Sequence, residues 1–101
     1  MMTKAEQKLI EKKKKVIERY NELEPDWDSY GGRPTTKAAI KRAMKLVEEI
    51  DPYTLKKTDI APTSDGGVQF ERYISPVSII IRVRPNGGLY IEIDEEEYVE
   101  V

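Results

Sequence analysis

The stretch Val77-Ser78-Ile79-Ile80-Ile81-Arg82-Val83-Arg84-Pro85-Asn86-Gly87-Gly88-Leu89-Tyr90-Ile91-Glu92-Ile93-Asp94 decides the fold. Val77, Ile79, Ile81 and Val83 alternate with Ser78, Ile80, Arg82 and Arg84, the period of a strand with one buried face. Pro85 to Gly88 has the composition of a hairpin loop, after which Leu89, Ile91 and Ile93 alternate with Tyr90, Glu92 and Asp94. On this parity Ile80, Arg82 and Tyr90 fall on the outer face of the sheet, with Glu92 beside them.

Working outward from that hairpin, Ser75-Pro76 reads as a turn and Val68-Gln69-Phe70-Glu71 as a further alternating strand. Arg72-Tyr73-Ile74 breaks the parity, which predicts a bulge or a strand end there. Ser64-Asp65-Gly66-Gly67 is turn chemistry, and Ile60-Ala61-Pro62 is a short edge strand, a position that tolerates proline. Beyond the acidic run from Asp94 to Glu97, Tyr98-Val99-Glu100-Val101 forms either a last strand or an ordered tail.

The first half has a helical period instead. Thr3 followed by Glu6 is a capping-box pattern, in which hydroxyl and carboxylate satisfy the free N–H groups at a helix start. Leu9, Ile10, Val16, Ile17, Tyr20 and Leu23 form one apolar stripe, so a first helix is predicted from about residue 4 to about residue 23. Lys13 interrupts the stripe, its stem lying along the core edge with the ammonium in water. Glu24 to Pro34 is a loop by composition. Thr36 then caps a second helix over about 37–50, with Ile40, Ala43, Met44, Val47 and Ile50 at helical spacing, and Asp51-Pro52 stops it. The predicted fold is a single α+β domain over residues 1–101. Its two N-terminal helices pack on one face of an antiparallel meander of roughly three to five strands.

Composition narrows the chemistry. The 101 residues are 39% hydrophobic and 36% charged, enough for one modest core. With no Cys and no His, disulfides, zinc fingers and every Ser-His or Cys-His dyad are excluded. The 17 Lys and Arg against 19 Asp and Glu give a net charge of -2, so bulk charge draws the chain to neither DNA nor anionic membrane. Residues 1–50 are nonetheless net +3 and residues 51–101 net -5. That asymmetry reads either as a bipolar surface or as ordinary solvated faces. Lys, Glu and Ile in abundance with scarce Asn and Gln fit a thermophilic source. No apolar run is long enough for a membrane span or signal peptide, so a cytoplasmic protein is expected.

Three segments, Asp26-Trp27-Asp28-Ser29-Tyr30-Gly31-Gly32-Arg33-Pro34, the helix 36–50 and Ala61-Pro62-Thr63-Ser64-Asp65-Gly66-Gly67-Val68-Gln69-Phe70-Glu71, come in that order before a hairpin. The arrangement resembles a group of small bacterial and phage proteins without an established activity. They carry a W-D-x-Y-G segment, an amphipathic helix and a P-T-x-D-G-G-[VI]-x-[FL]-E-W segment. The resemblance covers roughly residues 25–101 and matches at Trp27, Asp28, Tyr30, Gly31, Pro62, Asp65, Gly66, Gly67, Phe70 and Glu71. Arg72 stands where the pattern has Trp. The resemblance implies a shared fold and a mobile-element setting, and it supplies no activity.

Candidate sites follow from what remains. Trp27, Asp28 and Tyr30 form either a recognition surface on a braced loop, or a structural unit in which Trp27 plugs the core and Asp28 caps the turn. Carboxylates are the only catalytic chemistry available. Asp26 with Asp28, or the run Asp94 to Glu97, could address a hard cation, but a consecutive run points its acids in different directions. No calcium-loop or phosphate-loop motif accompanies them. A non-enzymatic protein without metal or cofactor is therefore expected.

The leading expectation is a protein-interaction module, an accessory factor of inhibitor or antitoxin type. Its surface would use Trp27, Asp28 and Tyr30 together with Ile80, Arg82 and Tyr90. The partner is a protein of unidentified kind, or a second copy docked on an exposed edge strand or on a patch of Ile80, Tyr90 and Tyr98. The alternative is a nucleic-acid-binding module that follows phosphates with Lys4, Lys8, Lys12, Lys15 and Arg19 of the first helix. The acids Glu6, Glu11, Glu18 and Glu22 on the same helix count against it. No membrane role is expected.

Overall fold

The computed structural model describes residues 2–95. Helix α1 (Lys4–Glu18) runs into a 3-10 turn (Arg19–Glu22), followed by α2 (Lys37–Glu49) and the short α3 (Pro52–Lys56). Strands β1 (Asp59–Pro62), β2 (Val68–Ile74), β3 (Val77–Val83) and β4 (Leu89–Glu95) complete the chain. They form one antiparallel sheet in the order β1-β2-β3-β4. The α+β architecture, helices first and a meander sheet after them, is the one the hydropathy periods predict. Tyr98 to Val101 lies outside the described residues.

Each helix starts where side-chain chemistry allows. The Thr3 hydroxyl accepts from the Glu6 N–H at 3.1 Å while the Glu6 carboxylate accepts from the Thr3 N–H at 3.0 Å, closing the capping box. The Thr36 hydroxyl accepts from the Ala39 N–H at 3.1 Å. Asp51-Pro52 ends α2 as expected, but it also begins α3, which the sequence reading lacks. Asp51 is the cap, accepting from the Thr54 N–H at 3.0 Å, and Pro52 takes the first helical turn, where a missing N–H costs nothing. The extra turn buries Leu55 completely.

One core joins the layers. Ile17 and Tyr20 come from the first helix and its 3-10 turn, Ala39, Ile40, Ala43, Leu46 and Val47 from α2, Leu55 from α3, and Val68, Phe70 and Val83 from the sheet. Lys13 is half-buried at the edge of this layer and donates from its ammonium to the Thr58 carbonyl at 3.1 Å, where the sequence reading placed it in water.

One expectation for the sheet narrows and another changes. Register from Val68↔Val83 to Ile74↔Val77 is unbroken, so of the bulge or strand end predicted at Arg72-Tyr73-Ile74 it is the strand end, at Ile74, that is found. Arg72 occupies the helix-side parity in line with Phe70 and Ile79, and its guanidinium donates to the Thr54 hydroxyl at 3.0 Å. The parity broke in the sequence because that end of the face is not sealed by helices. Second, the helices do not cover the whole helix-side face. α1 packs on α2 and α3, and α2 crosses β2 and β3. Leu89, Ile91 and Ile93 of β4, and Ile74 of β2, therefore stay exposed.

Candidate functional site

The aromatic loop is a hydrogen-bonded knot. Asp26 and Ser29 adopt positive φ of 65° and 64°, conformations that short polar side chains tolerate, and Gly31 follows at 77°. The Asp28 carboxylate organises the turn: Oδ1 accepts from the Tyr30 N–H at 3.0 Å and the Gly32 N–H at 2.8 Å, while Oδ2 accepts from the Ser64 hydroxyl. Asp26 Oδ1 accepts from the Gly31 N–H at 2.7 Å. The hydroxyl of Ser64 and the backbone N–H groups around Asp28 hold its carboxyl below the usual carboxylate range. The Arg33 N–H donates to the Ser64 carbonyl and the Thr36 N–H to the Gly66 carbonyl, at 2.8 and 3.0 Å, tying the loop to the β1–β2 turn.

Asp28 thus caps the turn as one of the two sequence readings had it. Trp27 does not plug the core. It is half-buried, and its indole N–H closes the loop on the Arg33 carbonyl at 2.8 Å. Tyr30 is 90% exposed and projects from this rigid frame. Both acids of the loop are consumed by backbone and hydroxyl donors. Among the described residues no group of three or more acids gathers where a metal ion could sit.

The outer sheet face departs from expectation. Ile80 is only 7% exposed and forms no outward patch. Its cross-strand neighbours are Glu71 and Glu92, and Arg82 lies next along its own strand, so long polar side chains stand around it. Arg82 donates to Gln69 Oε1 at 2.9 Å and pairs with Glu92 at 3.4 Å. The Arg84 guanidinium covers the Tyr90 ring, 4.7 Å from its centroid. Trp27, Asp28 and Tyr30 belong to the loop that contacts the β1–β2 turn, while Ile80, Arg82 and Tyr90 belong to the outer face of β3 and β4.

An apolar surface exists on the opposite face. Ile91 and Ile93 are 65% and 71% exposed, with Leu89 also exposed on the same strand and Ile74 exposed on the same face two strands away. Ile81 pairs with Ile91 and Ile79 with Ile93, so the strip continues inward from β4. It opens into an apolar recess of about 150 Å³ lined by Ile50, Phe70, Ile74, Ile79 and Ile81, with Arg72 and Thr54 at its polar side. The Arg72 guanidinium lies 5.9 Å from the Tyr53 ring, and Lys57 donates to the Tyr53 hydroxyl at 2.9 Å, which lowers that hydroxyl's pKa. The recess thus has a cationic neighbourhood. Sequence reasoning placed Leu89, Ile91 and Ile93 inside because alternation gives a face and not the extent of its cover.

The basic stripe is real as a surface. Lys8, Lys12, Lys15 and Arg19 line one shallow groove with Glu11 and Val16, and Lys4 lies outside it. None of those four cations makes an ion pair within the described residues. Lys14, outside the predicted stripe, pairs with Glu48 across to α2. No helix of the described residues is long and apolar enough to cross a membrane. No protein-family model, curated protein or solved structure matches this chain.

Proposed function

We propose that this chain is a non-enzymatic protein-binding module whose partner docks along β4 and over the apolar strip of Leu89, Ile91 and Ile93. One observation carries the reading: an exposed apolar strip lies flush with an edge strand and leads into an apolar recess. Exposed apolar patches beside an open sheet edge suit strand addition, in which main-chain hydrogen bonds give affinity and alternate side chains give selectivity. Tyr30, held on a rigid loop, is a second anchor for a large partner. An accessory role of inhibitor or antitoxin type in a mobile element, the setting implied by the resemblance, belongs to this proposal.

A second reading rests on the groove of Lys8, Lys12, Lys15 and Arg19, whose cations make no ion pair among the described residues and suit phosphates. Glu11 inside the groove and Glu18 and Glu22 at its end oppose a polyanion. The two readings separate in a tagged pull-down of the full chain from source-cell lysate, with and without nuclease, beside the Ile91→Asp/Ile93→Asp variant. The protein-binding reading expects a protein that survives nuclease and moderate salt with the native chain and is lost with the variant. Loss of all bound material on nuclease treatment, or a steep fall between about 50 and 200 mM salt, would overturn it in favour of the basic groove.

A further inference from the structure

The two edges of the sheet are treated differently. At the β1 edge, the Thr63 N–H donates to the Gly67 carbonyl at 3.1 Å, and antiparallel alternation then directs the backbone groups of Ile60 and Pro62 away from β2. Pro62 has no N–H to offer. The Tyr20 hydroxyl donates to the Ile60 carbonyl at 3.2 Å, so this edge is short and already occupied. At the other edge, the Arg84 N–H donates to the Gly88 carbonyl at 2.7 Å. The same alternation directs Tyr90, Glu92 and Asp94 to β3, and it leaves the N–H and C=O groups of Leu89, Ile91 and Ile93 facing outward. β4 carries no proline, and no further strand of the described residues lies beyond it in the sheet. The three residues with open backbone groups are also the three that expose apolar side chains.

Resting on the protein-binding reading above, we infer that a second copy of this chain fills this edge, β4 against β4, antiparallel and centred on Ile91. In that register Ile91 exchanges both backbone hydrogen bonds with its counterpart, and Leu89 does so with Ile93. Both helix layers lie on the same side, and the two strips merge into one apolar band. On the outer face Glu92 lies opposite Tyr90 of the second copy, whose ring holds the Arg84 guanidinium at 4.7 Å. The acidic end of each β4, Asp94 and Glu95, runs alongside the other copy's Gly87-Gly88 turn and Arg84, so charges complement at both ends. Centring on Glu92 instead would set two carboxylates directly opposite in a close, non-hydrogen-bonded pair. Centring on Ile93 would set Ile91 opposite Glu95. Of these three registers, the one centred on Ile91 matches apolar to apolar and brings the acidic end of each strand to the other copy's Arg84.

The test is the mass of the purified full chain by sedimentation equilibrium, with Ile91→Asp and two single-cysteine variants, Ile91→Cys and Ile74→Cys, in a chain that has no native cysteine. The native chain should sediment at twice its 11.7 kDa, and Ile91→Asp as a monomer with unchanged circular dichroism. A short bifunctional thiol cross-linker should join Ile91→Cys into a dimer and leave Ile74→Cys, also exposed and on the same face, as single chains. A native chain that is monomeric at every concentration would overturn the second copy. If the lysate partner still depended on Ile91, the protein-binding reading would survive that result. Equal cross-linking of both cysteine variants would overturn the register. A dimer that forms only after truncation at Glu95 would show that the chain's own last residues cover the edge, and would overturn the proposal as well.

Discussion

Asp28 shows how one carboxylate sets a loop. Its oxygens accept from Tyr30 and Gly32 of its own turn and from Ser64 of the neighbouring turn, so the charged form is the one the fold binds. Its pKa lies below the ordinary value. The stabilisation is therefore complete above the unfolded-state pKa of about 3.9 and is lost as pH falls through the folded value. Asp28→Asn keeps an acceptor for the two N–H groups and removes the titration. The melting temperature of the native chain should fall more steeply below about pH 4 than that of the variant, with the gap between them widest near neutrality. Parallel acid profiles in thermal melts would mean that the loop does not draw on this charge. The role of Asp28 as a turn cap is readable from Asp-Ser-Tyr-Gly-Gly. The position of Trp27 is not, because an indole in a polar loop can turn inward or close the loop, and composition does not choose.

At the scale of elements, α3 is the part that sequence reading loses, and the reason is physical. Asp-Pro is both a helix stop and a helix start, since the residue before proline leaves helical geometry while proline itself fits the first turn. A single turn is also too short to display a period. Yet it delivers Leu55, fully buried, to the centre of the core. Leu55→Ala should cost about 3 kcal/mol in chemical denaturation, as expected for a fully buried leucine removed without collapse of the site. A cost under about 1 kcal/mol would mean that α3 is peripheral. The strands of the β3–β4 hairpin are legible because apolar and polar residues alternate along them with the period of a pleated chain, which a helix does not share. The turns carry glycine where positive φ is required, as at Gly66 and Gly87.

For the whole molecule, the division into helices and a meander follows from the change of period after residue 60. The candidate surface does not. Ile80 and Ile91 sit in equally regular strands, and both are isoleucines, but their environments are inverted. Ile80 is buried on the outer face, between Glu71 and Glu92 of its neighbouring strands, whereas Ile91 is exposed on the helix side, where α2 packs on β2 and β3. Which part of a face is covered depends on where a helix crosses, and that is set by tertiary packing rather than by local pattern. The difference between the edges, by contrast, is visible as soon as register is known, because β1 ends in Pro62 and has the Tyr20 hydroxyl on its Ile60 carbonyl, and β4 has neither device among the described residues.

Residue-resolved amide hydrogen exchange on the full chain, at high and at low protein concentration, tests the proposed binding surface of β4 and its apolar strip. The amides of Tyr90 and Glu92, bonded to β3, should be protected at both concentrations. Those of Ile91 and Ile93 should be protected when concentrated and exchange quickly on dilution, tracing the strand that leaves. Rapid exchange of Ile91 and Ile93 at every concentration and with captured partner present, or protection that persists at dilutions where the chain sediments as a monomer, would contradict this reading.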